Sequence, residues 1–412
     1  MNSPASVVLS PLPDDAGNAI IYLDYAATTP LDPRVLEAML PYLQGADDPA
    51  LRWANPASTH GPGLRAREGV ERARAQVAAL IGAEPREIIW TSGATESNNL
   101  AIKGAIEFNR APGRPIHIIT SRAEHKCVLD SCRYLETQGV AVTYLKPGAD
   151  GRVMPQQVLD AITPDTALVS LMWVNNEIGA VQAVTELAPR LRERGIQFHV
   201  DAVQAAGKLA INLQDTPIDL LSVSAHKLYG PKGVGALFVR RWPRARLAPQ
   251  MHGGGHEQGM RSGTLATHQI VGMGAAFALA AREWTIEMPR LTALRERLWD
   301  RLRGLPEVLR NGPQDPSACA PHILNISFAG VDGESLRAAL PSLAVSSGSA
   351  CSSATAEPSY VLRALGRGDA LADASLRFSL GRGSDADTID CAAGQVVDSV
   401  QRLRELSPLW TP

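Results

Sequence analysis

The sequence contains no long apolar run. No stretch of about 18 consecutive apolar residues, the length that a transmembrane helix needs, occurs among its 412 residues. The formal net charge is only −2, so the chain has no overall charge excess that would attract nucleic acid. These two absences predict a protein that acts neither within a membrane nor on nucleic acid.

Cysteine is scarce as well. The cysteines form no CxxC pair and are too few for a disulfide framework; they are Cys127, Cys132, Cys319, Cys351 and Cys391. Residues 1–19 lack the basic start and apolar block of a secretory signal, and they lack the arginines of a mitochondrial presequence. We therefore expect a flexible leader at 1–19, a cytoplasmic protein, and at least one thiol that is free for chemistry.

The composition, with 45% hydrophobic and 20% charged residues, is that of a globular protein with a sizeable core. From about residue 63 onward, helical patterns alternate with short apolar runs at 88–90, 116–119, 140–144, 167–172, 198–200 and 220–223. Such alternation predicts an α/β fold with a mostly parallel sheet wrapped by helices. Because ligands of such sheets bind at the carboxyl ends of the strands, we expect the functional residues there.

The pattern changes near residues 283–300, where a long charged helix is predicted. Beyond it, apolar runs at 322–328 and 376–380 flank a loop rich in serine and glycine. This change predicts a second, smaller α+β domain that the helix joins to the first. We expect a large domain at 37–285 and a small domain formed by 20–36 together with 286–412.

One apolar run ends abruptly in a hydroxyl, an imidazole and a lysine, at Ser224, His226 and Lys227. An amine at a strand end can condense with the aldehyde of pyridoxal phosphate (PLP), while the hydroxyl and the imidazole hold the phosphate. A lysine after a strand can also be a solvated loop residue. Lys227 is our candidate for the lysine that forms a Schiff base.

An earlier apolar run ends in a carboxylate, Asp201, which is followed three positions later by the amide of Gln204. The carboxylate can pair with a protonated pyridine nitrogen and make the PLP ring an electron sink, while the amide can donate to the phenolic oxygen of the ring. Asp201 alone could equally be a helix N-cap. The two strand ends together favour one cofactor.

Small residues at 91–95 follow the run that ends at Trp90 and open a helix. Backbone N–H groups at a helix start, together with the Thr95 hydroxyl, make a cradle for a phosphate, and the helix dipole favours the anion. The alternative is a simple capping box with Thr95 or Ser92 as N-cap. Because Ser224 and His226 are available to the same phosphate, binding of PLP is favoured.

Two further polar residues follow predicted strands. His125 lies at such a carboxyl edge, where an imidazole can stack on a planar ring and transfer protons, although a loop histidine is often merely solvated. Asn176 follows the next strand and could donate to the ring oxygen or to a substrate carboxylate, although an Asn-rich segment can also be a plain turn.

The predicted small domain contributes a thiol and a guanidinium. Cys351 is surrounded by small and polar residues that cannot anchor a core, so we expect an exposed thiol in a mobile loop that can act as a nucleophile. Arg377 lies on a predicted strand, where it could bind an amino-acid carboxylate in bidentate fashion. An edge-strand arginine that faces water is the alternative for Arg377.

A set of short motifs spans nearly the whole chain, from about residue 21 to 410. The motifs are TSGATESN at 91–98, EHK at 124–126, VNNEIG at 174–179, HVDA at 199–202, HK at 226–227, HGGGHE at 252–257, RSGT at 261–264 and SSGSAC at 346–351. In these motifs the chain closely resembles the cysteine desulfurases, which are PLP enzymes of fold type I and aminotransferase class V. Within them it resembles the housekeeping type that supplies iron–sulfur cluster assembly.

This resemblance implies roles for individual residues. Lys227 would form the Schiff base, His125 would stack on the ring and assist proton transfer, and Cys351 would take the sulfur. The implied cofactor-binding residues are Ala94, Thr95, Asn176, Asp201, Gln204, Ser224, His226, Lys227 and Thr264. Thr264 would reach the phosphate from the other subunit, which implies a homodimer. No metal site is expected.

The resemblance also implies the reaction, in which L-cysteine becomes L-alanine and its sulfur forms a persulfide on Cys351, while Arg377 and Asn176 bind the substrate. The large domain would bind PLP, and the small domain would carry the catalytic cysteine loop. Sulfur-acceptor proteins, among them an iron–sulfur scaffold, are the expected partners. Housekeeping members usually continue past the position of Pro412 with a tail that helps to dock the scaffold, so docking is left open. Trp173 stands where close relatives often carry histidine.

Other functions remain open at this stage. A selenocysteine lyase or another class V enzyme, such as an aminotransferase for a small amino acid, is the first alternative. The Cys351 loop argues against an aminotransferase, which needs no thiol, but discriminates poorly against selenocysteine. A sulfur-relay platform with little turnover is an alternative of another class, and the combination of Lys227, Asp201 and Cys351 argues against it because a platform needs no electron sink.

Overall fold

The computed structural model describes residues 12–13, 19–45, 50–347, 357–407 and 410. The strands are β1 (Leu12–Pro13), β2 (Ala19–Tyr22), β3 (Ile88–Thr91), β4 (His117–Ser121), β5 (Ala141–Leu145), β6 (Thr166–Met172), β7 (Gln197–Asp201), β8 (Leu220–Ser224), β9 (Gly235–Val239), β10 (Val308–Asn311), β11 (Ile323–Phe328), β12 (Leu343–Ala344) and β13 (Ser375–Ser379).

The α-helices are α1 (Pro33–Met39), α2 (Gly61–Ile81), α3 (Ala94–Asn109), α4 (Lys126–Thr137), α5 (Pro155–Asp160), α6 (Val184–Glu193), α7 (Thr267–Leu302), α8 (Gly333–Ala338), α9 (Tyr360–Ala364), α10 (Asp369–Asp373) and α11 (Ala386–Leu406). Within the described ranges, no helix combines the length and the apolar character needed to cross a membrane.

The largest sheet has seven strands in the order β3-β9-β8-β7-β6-β4-β5. Strands β4 to β8 pair in parallel with one another, whereas β9 is antiparallel to both of its neighbours. The expected α/β fold with a mostly parallel sheet and flanking helices is confirmed. The carboxyl ends of β4, β6, β7 and β8 therefore lie along one edge of the sheet.

Strand β9 is absent from the strands predicted above. Its apolar sequence at 235–239 was a usable signal, because a glycine-rich turn precedes it. The connection 225–234 is also shorter than the roughly twelve residues that a parallel crossover requires. The direction of β9 thus follows from the length of the preceding loop.

Both faces of the large sheet are buried. Along β9, Ala236 and Phe238 belong to the core beneath α2, α6 and the first half of α7, whereas Leu237 and Val239 belong to the core beneath α3 and α4. Successive side chains of a strand point to opposite faces, so an all-apolar strand needs a cover on each side. Polar groups that must face a ligand are consequently confined to the strand ends.

Helix α7 begins at Thr267, well before the predicted start near residue 283. Its first half is apolar and packs closely on α2, since a Cβ at Gly274 would lie 2.5 Å from the Cα of Ala73. The charged pattern that identifies the helix in the sequence starts only near its midpoint, around Arg282. The boundary expected at 285/286 therefore falls inside one continuous helix.

A second core lies around the three-stranded antiparallel sheet β10-β11-β13. The second half of α7 and helix α11 cover it, and Ile21 and Leu23, from β2 and the residues after it, complete it. Strand β2 also pairs in parallel with β12 and antiparallel with β1, which lies in the expected leader. Residues after β2 thus run from the second core toward the large sheet.

A buried carboxyl anchors the segment that leads into α9. Ser359 Oγ donates a hydrogen bond to Oε1 of Glu177, in the loop after β6, and accepts the N–H of Leu362 as the N-cap of α9. Burial raises the pKa of Glu177 to about 7, while Ser359 and Arg377 act in the opposite direction. The Glu177 carboxyl is therefore largely protonated in mildly acidic solution.

Gly235 of β9 provides a test of the packing behind the β3–α3 turn. A Cβ at this position would lie 2.7 Å from the Cα of Gly93 and 2.7 Å from the carbonyl oxygen of Val223. We predict that Gly235→Ala lowers the free energy of unfolding by about 1–3 kcal/mol, because the backbone must move to admit the methyl group. Urea denaturation measures this change.

The matched control for Gly235→Ala is Gly394→Ala. Gly394 lies exposed within α11, and a Cβ there would meet no atom within 4 Å. This variant should raise the free energy of unfolding by about 0.5–1 kcal/mol, because alanine loses less backbone entropy in a helix. A Gly235→Ala protein as stable as the wild type would contradict the close approach of β9 to Gly93.

Glu177 predicts a specific pH dependence of stability. Its pKa in the folded protein, about 7, exceeds the ordinary value of 4.5, so the wild-type protein loses stability as the pH rises through this window. Glu177→Gln keeps an acceptor for Ser359 but removes the titration. The variant should therefore gain stability relative to wild type between about pH 5 and about pH 8.

Urea denaturation at both pH values checks the Glu177 prediction. Glu193→Gln, at an exposed position at the end of α6, is the control and should leave the pH dependence as in wild type. A constant difference between Glu177→Gln and wild type at the two pH values would show that Glu177 does not titrate there.

Candidate active site

The carboxyl ends of the parallel strands meet at a cavity of about 510 Å³. The predicted site residues that line it are Ala94, Thr95, His125, Asn176, Asp201, Gln204, Ser224, His226 and Lys227. They come from the β3–α3 turn and from the loops after β4, β6, β7 and β8. The structure brings these residues, which are distant in sequence, to one cavity.

Lys227 follows β8 directly, in the short 3₁₀ turn at 225–227. Its Nζ donates hydrogen bonds to the carbonyl oxygens of Ala26 at 2.7 Å and Ala27 at 2.6 Å. Ala26 and Ala27 follow β2, and the preceding residues Ile21 and Leu23 belong to the second core. Lys227 is therefore a partly buried amine held at the cavity wall, which differs from the solvated loop lysine of the alternative interpretation.

A second amine, Lys208, lies behind Lys227 and was not predicted. Its Nζ donates to the carbonyl oxygen of Lys227 at 3.1 Å and to Oε1 of Gln204 at 3.3 Å. Burial lowers the pKa of Lys208 to about 7, and the charge of Lys227 adds to this effect. Two further contacts hold the Gln204 amide. Nε2 of His322 lies 3.1 Å from Oε1 of Gln204, and Nε2 of Gln204 donates to Ala26 O at 2.9 Å.

Asp201 is the last residue of β7 and is almost buried, with 8% of its surface exposed. Oδ1 accepts the N–H of Val203 at 3.1 Å, and Oδ2 accepts from Nδ2 of Asn98 at 2.7 Å. The first contact is a local bond within a turn, and because no helix follows β7 directly, Asp201 is not the helix N-cap of the alternative interpretation. Both donors are neutral, so a cationic ligand at the cavity would complete the pairing of this carboxylate. The buried Trp173 donates its main-chain N–H to Asp201 O at 2.9 Å.

The start of α3 offers a cradle for an anion. The N-cap residue is Gly93, with φ of 153°, and no side chain caps the helix, so the alternative with Thr95 or Ser92 as N-cap is wrong. A Cβ at Gly93 would meet no protein atom within 4 Å. The first N–H groups of α3 and the open space beside Gly93 fit a phosphate.

His226 contributes hydrogen bonds to the same end of the cavity. Burial and, after it, the charges of Lys227, Lys232 and Lys208 together lower its pKa to about 4, so the imidazole is neutral near pH 7. Its Nδ1 lies 3.2 Å from Oγ1 of Thr28. Lys232 also lines the cavity. It was not predicted, although it follows Lys227 closely in a turn between two glycines.

His125 is the N-cap of α4. Its Nδ1 accepts the main-chain N–H of Cys127 at 3.2 Å and lies 3.0 Å from the Cys127 Sγ. The imidazole is therefore held by the helix start, whereas the alternative was a solvated loop residue. Cys127 also lines the cavity and was not predicted as a site residue, although it lies next to the EHK motif.

Arg377 lies on β13 and is 1% exposed, so the alternative of an arginine that faces water is wrong. Its NH2 group forms an ion pair with Oδ1 of Asp24 at 2.7 Å, and its NH1 group donates to Asn176 O at 3.1 Å. Nε is buried and has no hydrogen-bond partner among the described residues. Arg377 thus lies behind Asn176, outside the cavity lining itself.

Among the described residues, Thr264, like Arg377, does not line this cavity. Thr264 is exposed and belongs to a loop that Arg261 ties to Glu96 of α3, with Nε to Oε1 at 2.7 Å. Cys351 lies outside the described residues. The chain preceding it pairs with Arg377, whose main-chain N–H donates to Ser346 O at 2.7 Å.

The cavity fits PLP on three observations. A lysine amine lies at its wall, a buried carboxylate with neutral donors lies at another side, and a helix start with open space beside Gly93 can accept the phosphate. These are the groups that would hold the aldehyde, the pyridine nitrogen and the phosphate of PLP. With the cofactor bound, such a site can stabilise negative charge at Cα of an amino acid.

Comparison with known proteins shows the family of this chain. The aminotransferase class-V family profile matches residues 21–391. A curated relative from Stutzerimonas stutzeri (strain A1501), "Cysteine desulfurase IscS", is 57% identical over 391 residues, which are 95% of this chain and 95% of the relative. The protein of the same name from Azotobacter vinelandii is 56% identical over the same share of each chain.

Solved structures extend the comparison. A structure titled "NIFS-LIKE PROTEIN" has a TM-score of 0.84 at 33% identity and covers 93% of this chain and 100% of its own. A structure titled "SspA in complex with cysteine" has a TM-score of 0.75 at 39% identity, with 87% and 98% covered. The family expected from the motifs is confirmed. The chain belongs to the aminotransferase class-V family and, within it, to the PLP-dependent cysteine desulfurases.

Proposed function

We propose that this protein converts L-cysteine to L-alanine and transfers the sulfur to Cys351, supplying iron–sulfur cluster assembly and other sulfur acceptors. The observation that carries the proposal is the cavity in which Lys227, Asp201 and the start of α3 converge. The segment leading to Cys351 pairs with β13 at Arg377, and Arg377 contacts Asn176 at the cavity. The described residues just before the Cys351 loop are therefore connected through Arg377 to the cavity residue Asn176.

Each part of the cofactor has a candidate partner in the cavity. PLP, when bound, supplies an electron sink for the negative charge that develops at Cα of the substrate. Lys227 would hold the aldehyde, and Asp201 would pair with the pyridine nitrogen. Gln204 and Asn176 would contact the ring oxygen or the substrate, and the residues that would bind the phosphate are Ala94, Thr95, Ser224 and His226.

His125 would stack on the ring and assist proton transfer. Because its Nδ1 accepts the N–H of Cys127, the neutral imidazole carries its proton on Nε2. The helix start therefore leaves Nε2–H as the group that can donate a proton. A donor with a fixed tautomer is what general acid catalysis requires.

Arg377 would bind the substrate carboxylate, together with Asn176. Asp24 holds one side of the guanidinium, while the buried Nε lacks a partner among the described residues. A buried donor without a partner is costly, and a carboxylate would satisfy it. We propose that Asp24 orients Arg377 in this way for the substrate.

The Cys351 thiolate would attack the sulfur of the bound cysteine. A sulfur–sulfur bond forms as the carbon–sulfur bond breaks, its electron pair stays with carbon, and protonation of that carbon gives alanine. The persulfide on Cys351 then passes its terminal sulfur to the thiol of an acceptor protein.

We also propose a homodimer in the cytoplasm. Thr264 is exposed and does not line its own cavity, on a loop tied to α3 by the Arg261–Glu96 ion pair. This exposure supports the proposal that Thr264 would complete the phosphate site of a second subunit. Exposed apolar side chains of α1 and the residues after it support a covered face: Leu36, Leu40 and Leu43 are 42%, 46% and 51% exposed. In this scheme the large domain, 37–285, binds PLP, and 20–36 with 286–412 carries the Cys351 loop.

Lys227 provides the first test of this function. Purified wild-type protein should show the visible absorption of lysine-bound PLP. Lys227→Ala should lack it and produce no alanine above background, because the variant has lost the amine at the end of β8 that would hold the aldehyde. Lys146→Ala, at an exposed position, is the control and should retain both properties. Normal turnover by Lys227→Ala would refute the role of this lysine.

Cys351 provides the test that separates desulfuration from other class V reactions. Wild-type protein incubated with L-cysteine should carry added sulfur on the Cys351 peptide, measured by mass, and should release alanine. Cys351→Ser should still bind L-cysteine, seen as a change in the visible spectrum, while sulfide release falls to background because a hydroxyl cannot form the persulfide. Cys391→Ser, at an exposed cysteine, is the control. Sulfide release from Cys351→Ser at the wild-type rate would contradict the assignment of Cys351 as the residue that accepts the sulfur.

A further inference from the structure

A continuous chain of hydrogen bonds runs along the cavity wall from His125 to Asp201. His125 Nδ1 lies 3.0 Å from the Sγ of Cys127, and the same Sγ lies 3.1 Å from Nδ2 of Asn98. Nδ2 of Asn98 in turn lies 2.7 Å from Oδ2 of Asp201. Cys127 and Asn98 therefore stand between the two residues to which we assign ring stacking and pairing with the pyridine nitrogen.

The direction of each hydrogen bond in this chain follows from the available protons. A carboxylate only accepts, so the Asn98 amide donates one of its two protons to Asp201 and is left with the other for Cys127 Sγ. The sulfur then acts as acceptor toward Asn98, and its own proton is available for His125 Nδ1. The main-chain N–H of Cys127 also donates to Nδ1, so the one lone pair of this nitrogen is shared between the N–H and the S–H of the same residue.

Burial makes this arrangement specific. Asn98 is fully buried, and its Oδ1 has no hydrogen-bond partner among the described residues. The orientation of the amide is therefore set by Asp201 and Cys127, since a flipped amide would place Oδ1 against the Asp201 carboxylate. Hydrogen bonds in such a buried site are stronger than in water and depend on one another.

We propose that Cys127 and Asn98 are positioning residues that couple His125 to Asp201, so that the imidazole and the carboxylate are oriented as one unit. The proposal rests on the function proposed above for His125 and Asp201. Cys127 acts here through its hydrogen bonds, and no covalent change occurs at its sulfur. Its role is thus separate from that of the sulfur-accepting Cys351.

The experiment uses Cys127→Ala, Asn98→Ala and the double variant in the PLP-loaded protein. Loss of one link should lower kcat about five- to tenfold and leave KM within about twofold, because orientation is lost while substrate contacts remain. If the links act as one unit, the double variant should be no slower than the slower single variant. Cys127→Ser keeps a donor and an acceptor and should restore most of the lost rate.

A readout independent of turnover is the imidazole ¹⁵N NMR spectrum of the loaded protein. Cys127→Ala should shift the Nδ1 resonance of His125, because that nitrogen loses the S–H donor. Cys132→Ala removes another thiol from α4 that is buried away from the cavity and should leave the His125 resonance unchanged. An unchanged Nδ1 resonance in Cys127→Ala would overturn the proposal, as would multiplicative losses of kcat in the double variant.

His125→Ala distinguishes the proposed role of His125 from its proposed coupling to Asp201. Normal turnover by this variant would remove the proposed role of His125 itself, and the coupling would fall with it. A large loss in His125→Ala combined with wild-type kcat in Cys127→Ala would overturn the coupling alone and leave the proposed function standing.

Discussion

The contact of the Lys227 amine with the carbonyl oxygens of Ala26 and Ala27 is the interaction on which the site depends. Lys227 follows a strand of the large sheet, whereas residues 26–27 extend from a strand of the second core. The amine is therefore in place only when the two cores are docked. The ion pair between Arg377 and Asp24 likewise joins residues that are far apart in sequence, one near each end of the chain.

Charge in the cavity is divided between two ends. The anion-binding end combines the start of α3 with the amines of Lys227 and Lys232, while His226 stays neutral because burial and these amines lower its pKa. The other end contains the Asp201 carboxylate with two neutral donors. A ligand with an anionic group at one end and a protonated ring nitrogen at the other matches this division, as PLP does.

The sequence predicted the residues that stand at strand ends and missed those that act through tertiary contacts. Lys227, Asp201 and His125 could be found because apolar runs reveal where strands end, and parallel strands end at one edge. Asn98 ends the motif at 91–98, but its contact with Asp201 could not be predicted, because the two residues are 103 positions apart. Lys208 was missed for the same reason, since only the fold shows that it is buried behind Lys227.

Helix α7 has a mechanical consequence. Its 36 residues, about 54 Å at 1.5 Å per residue, form a strut whose first half belongs to the core of the large sheet and whose second half belongs to the other core. Pro289 lies between the halves and lacks the N–H that would bond one turn back, so it is the weakest point against bending. Bending at Pro289 would change the position of the second core relative to the large sheet and, with it, the distance from residues 26–27 to the Lys227 amine.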